Sequence, residues 1–414
     1  MGNDDFLTQY AELLTGTCLG ISNGMRLLIR CEIPHRKLAR LSAAAAWRRG
    51  AREVMVQYTD HFLDRDAIES MDVAWLDEIS EFAKQESIRF AEEGWAYLAI
   101  TGEEDPEVFD GMDDSRLQRW DRSRSIEFEP FLRGLMKSAQ PWCVASAPTE
   151  QWARWVFTTS GQSMPADPVA AMWEVFLPIL RLDRPDPSAA WLADISILDV
   201  KAAQMTERHF ESLHFYGPGT DLQVGLSPSS RWKNANSTTP EGKRFIPNIP
   251  SEEIFSTPDA RRTSGHVSIT RPVRVMGVIV EDAWFRFENG EVVASGAARN
   301  AETLKRYLAS EIGIRRLGEV ALVESDGPIA NSELIFGNIL LDENAACHIA
   351  LGFGIEEAFE GADTMDKPAR EAVGFNEAIN HLDFMIGSDR IDVDGLDSSG
   401  LSVPLMRAGK FVLA

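Results

Sequence analysis

The chain has 414 residues, 44% of them apolar and 25% charged, with a formal net charge of −23. Such a length exceeds what a single hydrophobic core ordinarily supports, so two domains are expected, and the composition is that of a folded globular protein without low-complexity tracts or fixed-period repeats. The negative balance repels phosphate backbones and anionic lipid, which sets aside nucleic acid and membrane surfaces as partners and favours cations, including substrates that carry a free ammonium group.

From the N-terminus, MGNDDF is acidic and lacks the basic region of a signal peptide, so cytoplasmic residence is expected. Lys37 to Arg49 is Ala-rich with helical spacing of apolar residues, Gly50 stops it, and Glu53 to Tyr58 (EVMVQY) reads as a strand. The same step recurs from Ile68–Glu93 into Trp95–Thr101 and from Phe128–Ala139 into Pro141–Ala147, before another helix near Thr149 and a long helical tail through Glu207. Regular alternation of this kind predicts an α/β layered N-terminal domain with a mostly parallel sheet, over residues 1–208. Cys18, Cys31, Cys143 and Cys347 form no C-x-x-C pair and read as reduced thiols.

After His209 the pattern changes, and residues 209–414 read as an α+β domain. LHFYGPGTDLQVGL offers two strands around Gly217-Pro218-Gly219, a tight turn without the Lys-Ser/Thr ending of a phosphate loop. Asn289-Gly290 in FRFENGEVV marks a hairpin, and helical patterns follow near Ala301–Ile312 and Asp342–Phe353. The longest apolar runs, Val320–Val323 and Leu334–Leu341, fall far short of a bilayer span. Ser264-Gly265-His266 lacks the G-x-S-x-G setting of a serine nucleophile.

Polar groups in apolar surroundings carry the chemical information. In NHLDFMIGSD, His381 and Asp383 are two apart on a predicted strand and therefore share a face. Glu319 opens the run EVALV, Glu252-Glu253 follow Pro250 in NIPSEEIF, and LDENAACHIALG carries Glu343 and His348 in a short helical pattern that turns them to different faces. Burying such groups unpaired is costly, and a divalent cation is one compensator: two imidazoles with three or more carboxylates suit Zn²⁺, Co²⁺, Mn²⁺ or Mg²⁺.

These stretches, together with GAREVMVQYTD, WCVASAPTEQWARWVF and FIPNIPSEEIFSTPD, resemble the thermophilic-type metallo-aminopeptidase family over nearly the whole chain. The resemblance implies that Glu253, Glu319, His348, His381 and Asp383 hold two divalent metal ions, with Glu319 as the bridge. It also implies a homodimer and broad removal of N-terminal residues from peptides with a free N-terminus, by a metal-activated water. Glu252 and Glu343 are the candidates for general base or supporting carboxylate. The family's tyrosine seven residues beyond the His348 position is Ile355 here, which leaves open a non-catalytic peptide- or metal-binding homologue. Another dinuclear hydrolase is the third reading.

Overall fold

The computed structural model describes residues 5–413; Met1–Asp4, within the acidic start, and Ala414 lie outside them. The chain divides into two compact units, one of Met1–Trp191 with Asn236–Ile249 and one of Leu192–Ala235 with Pro250–Ala414. The fold is mixed α/β, a five-stranded parallel sheet in the first unit and antiparallel sheets in the second.

In the first unit the strands run in the order Asn248–Ile249, Trp142–Ser146, Ala96–Thr101, Arg26–Glu32, Glu53–Thr59, all parallel. Leu27, Leu28 and Ile29 are wholly buried in succession, as expected of a parallel strand covered on both faces. Helix Arg36–Arg48 stops at Gly50, whose φ of 90° suits glycine alone. The expected helix Ile68–Glu93 is three, His61–Ser70, Val73–Leu76 and Glu81–Glu92, because Asp72 and Ser80 each cap a new start by accepting from Ala74 and Ala83 N–H groups. Helix Asp114–Met136 begins well before Phe128; Ser123, Glu127, Phe131 and Leu135 form its buried stripe at four-residue spacing. The two-residue strand Asn248–Ile249 arrives from a distant part of the chain, and no periodicity announces it.

The second unit holds an eight-stranded and a five-stranded antiparallel sheet. Strands Ser212–Gly217 and Thr220–Gly225 close at Gly217-Pro218-Gly219 as expected. Asn289 and Gly290 take φ of 51° and 81°, the left-handed pair that a two-residue hairpin between Trp284–Glu288 and Glu291–Gly296 requires. The helix expected over Asp342–Phe353 is not formed. A short helix Ile339–Asp342 and one tight turn Glu343–Ala345 give way to strand His348–Gly352. All five of its residues are buried between strands Leu317–Val323 and His381–Met385, so pairing on both edges overrides the local pattern. Among the described residues no helix is long and apolar enough to cross a membrane.

Candidate metal centre

The five-stranded sheet runs His381–Met385, His348–Gly352, Leu317–Val323, Glu253–Ser256, Lys233–Asn234. Its register explains why five polar side chains converge. Asp383 and Glu319 both lie opposite Ala350, His348 lies opposite Ala321, and Glu253 lies opposite Val323. Residues paired across strands, and those two apart along them, share a face. Hence Glu253, Glu319, His348, Asp383 and His381 stand on one face, with the small side chains of Ala321 and Ala350 as the floor between them. A bulge between Leu317 and Glu319 precedes this arrangement. On the opposite face Ile254, Val320, Leu322, Ile349, Leu351 and Phe384 are wholly buried in the apolar core, with Leu382 partly buried against it.

Two overlapping sets result, Glu253 with Glu319 and His348, and Glu319 with His381 and Asp383; within each, one donor atom per residue lies within 4.8 Å of the others. His348 Nδ1 meets the Ala346 carbonyl at 3.2 Å and His381 Nδ1 the Phe353 carbonyl at 2.8 Å. Both Nε2 atoms are thereby turned to the carboxylates, the orientation a metal-binding imidazole needs. His348 Nε2 lies 3.1 Å from Glu253, and His381 Nε2 lies 3.0 Å from Glu319 and 3.5 Å from Asp383. Although close to the imidazoles, Glu253 Oε2 and Asp383 Oδ1 are buried and accept no hydrogen bond. Buried carboxylate oxygens left in this state, in a set with more carboxylates than imidazoles, fit a bound divalent cation.

Electrostatics point the same way. Burial opposes a charge on His348, but contact with Glu253 and the charges of Glu253, Asp383 and Glu319 push its pKa up to about 10. His381 is raised, burial being outweighed by Asp383 and Glu319. Burial raises Glu319, while Asp383 is lowered because His381 outweighs its burial. Of the two candidate bases, Glu343 is partly exposed and its carboxyl is pushed well up by burial and by the charges of Glu253, Asp383 and Glu319. Glu252 is tied in through its main chain, donating its N–H to Asn344 Oδ1 at 2.6 Å. Ile355 contributes main-chain bonds only to its surroundings, exchanging hydrogen bonds with Thr257 Oγ1 at 2.8 and 3.1 Å. Sequence reasoning passed over Asn344; its signal was a polar run, Asp342-Glu343-Asn344, set between two apolar runs.

Residues 3–411 match the family model described as thermophilic metalloprotease (M29). The chain is 36% identical to aminopeptidase T of Thermus aquaticus over 98% of both chains. It is 32% identical to aminopeptidase PepS of Streptococcus thermophilus over 98% of both. The solved structure of wild-type AmpT from Thermus thermophilus superimposes with a TM-score of 0.91 at 35% identity, covering 99% of each chain. With a family model spanning nearly every residue and relatives matched end to end, this chain belongs to the thermophilic metalloprotease (M29) family.

Proposed function

We propose that the chain is a metal-dependent aminopeptidase that removes N-terminal amino acids from peptides, with Glu253, Glu319, His348, His381 and Asp383 as its metal ligands. The observation that carries this reading is the pair of donor sets sharing Glu319 on one buried face. That sharing favours two ions, which Glu253 and His348, His381 and Asp383, and the shared Glu319 would hold. The oxygen and nitrogen donors suit Zn²⁺, Co²⁺, Mn²⁺ or Mg²⁺. Such ions, when bound, supply Lewis-acid polarisation of the scissile carbonyl and acidify water near neutral pH.

The chain's own groups do the rest. Recognition of the free α-amine of an unblocked peptide beside this face would hold the first peptide bond at the site and so restrict cleavage to the first residue. Glu343 and Glu252 are the candidates for taking a proton from water and passing it to the departing amine; Glu343 is preferred because it lies among the charges of Glu253, Asp383 and Glu319. The side chain of Ile355 offers no hydrogen-bond donor, so it does not stabilise a developing oxyanion. The reading extends to a cytoplasmic homodimer; four buried free thiols, Cys18, Cys31, Cys143 and Cys347, support a reducing compartment, and light scattering on the purified protein tests the dimer.

The test is release of free amino acid from short peptides with unblocked or acetylated N-termini, using chelated protein re-supplied singly with Co²⁺, Zn²⁺, Mn²⁺ or Mg²⁺. Metal-restored cleavage of the unblocked peptides alone is expected. Stoichiometric metal binding without cleavage replaces this reading by a non-catalytic binding protein, for which Ile355 is the motivating residue.

A further inference from the structure

We propose that Asn344 is a positioning residue: it fixes the carboxyl of Glu343 relative to the chain at Glu252 and Glu253, and so sets the spacing between the proton carrier and the metal-facing carboxylates. This inference rests on the role given to Glu343 above.

Asn344 is only 1% exposed, so its amide must find partners within the protein. Its Oδ1 accepts the Glu252 N–H at 2.6 Å, joining segments 92 residues apart immediately before Glu253. Its Nδ2 donates to the Leu340 carbonyl at 2.9 Å and lies 3.4 Å from Glu343 Oε1. One carboxamide thus spends its acceptor on Glu252, just ahead of the strand that carries Glu253, and its donors on the short helix before the turn and on Glu343 itself. A carboxylate of the same shape has no donor, and a hydroxyl is too short to hold both ends.

The turn needs such a tie. Glu343–Ala345 is a single tight turn with no side-chain cap of its own. Just before it, Asp342 is held by the N–H groups of Phe336 and Asn338 at 3.0 and 3.2 Å, with the Arg271 guanidinium 3.9 Å away. The residue preceding Arg271, Thr270, donates through Oγ1 to the Gly387 carbonyl at 2.7 Å, just beyond the strand of His381 and Asp383. The turn is therefore anchored toward that strand on one side, and Asn344 supplies the anchor toward Glu253 on the other.

The experiment is a cycle of Asn344→Ala, Glu343→Gln and the double variant in the metal-loaded enzyme, reading kcat and KM on an unblocked peptide together with bound-metal stoichiometry. Misplacing a reacting group by about an ångström costs on the order of a hundredfold. Asn344→Ala is thus expected to lower kcat roughly ten- to hundredfold, with KM within about threefold and metal content unchanged. In the Glu343→Gln background the same change is expected to cost almost nothing, because a group acting through Glu343 has nothing left to position. Equal losses in both backgrounds, or full kcat in Asn344→Ala beside an impaired Glu343→Gln, overturn the inference alone. Full turnover in Glu343→Gln overturns the role of Glu343, and this inference with it. If Asn344→Ala does not fold, Asn344→Asp enters the same cycle: it keeps the acceptor and shape but sets a charge beside Glu343, and its cost is likewise expected to vanish with Glu343→Gln.

Discussion

Glu319 belongs to both donor sets, so on the proposed reading its loss takes one donor from each. Glu319→Gln keeps the shape but removes the charge; kcat is expected to fall at least on the order of a hundredfold, with reduced metal stoichiometry by elemental analysis. Metal binding requires neutral imidazoles, whereas the surrounding carboxylates hold His348 up to about 10 and raise His381 as well. Protons and metal therefore compete: apparent affinity should rise with pH across the neutral range, and calorimetry in buffers of differing ionisation enthalpy should detect proton release. Affinity unchanged between about pH 6 and about pH 9 would contradict that assignment. Asp342 gives a second pH signature. Its folded pKa is raised by burial to about 6 from 3.8, against the opposing effects of Arg271 and three backbone N–H groups. The stability this contributes is fully present below the unfolded value and is lost as pH rises through the folded one. The difference, about two units, amounts to roughly 3 kcal/mol. Relative to Asp342→Asn, the parent should gain about that much between about pH 6 and about pH 4 in denaturant melts. The charged members of the site were legible in the sequence because Glu, His and Asp stand out inside apolar runs. Asn344 was not, since its one signal, the polar run Asp342-Glu343-Asn344, does not tell an amide that ties two segments from one that faces water.

At the scale of elements, strands were readable where turn chemistry announced them, as at Asn289-Gly290, and helices where a stop such as Gly50 bounded them. HIALG had neither signal: five apolar or amphipathic residues fit a buried helix or a central strand equally well, and only pairing on both edges decides between them. The same strand carries a vulnerable position. Gly352, paired with His381, has φ of 126°, and a Cβ there would lie 1.9 Å from the Asn380 carbonyl oxygen. Gly352→Ala must push apart the strands that carry His348 and His381; it is expected to cost about 3 kcal/mol or more and to lower metal affinity together with stability. Loss of stability with metal affinity intact would show that the ligand strands tolerate the displacement.

For the whole molecule, ions bound only by the folded state shift the unfolding equilibrium, by about 2.7 kcal/mol at a free concentration one hundred times the Kd. Chelation should therefore lower the Tm, and re-addition of the functional metal should restore it in proportion to the logarithm of concentration; a Tm indifferent to chelator would argue against a ligand cluster that assembles on folding. The distant origin of strand Asn248–Ile249 has a consequence in time. It covers the edge of Trp142–Ser146, yet roughly 100 residues are synthesised between the two. At about 5–20 residues per second the outer strand of the nascent sheet waits roughly 5–20 s for its cover. During that interval Val144 and Ala145 lack the partners that Asn248 and Ile249 later supply, and their backbone is open to pairing with another chain.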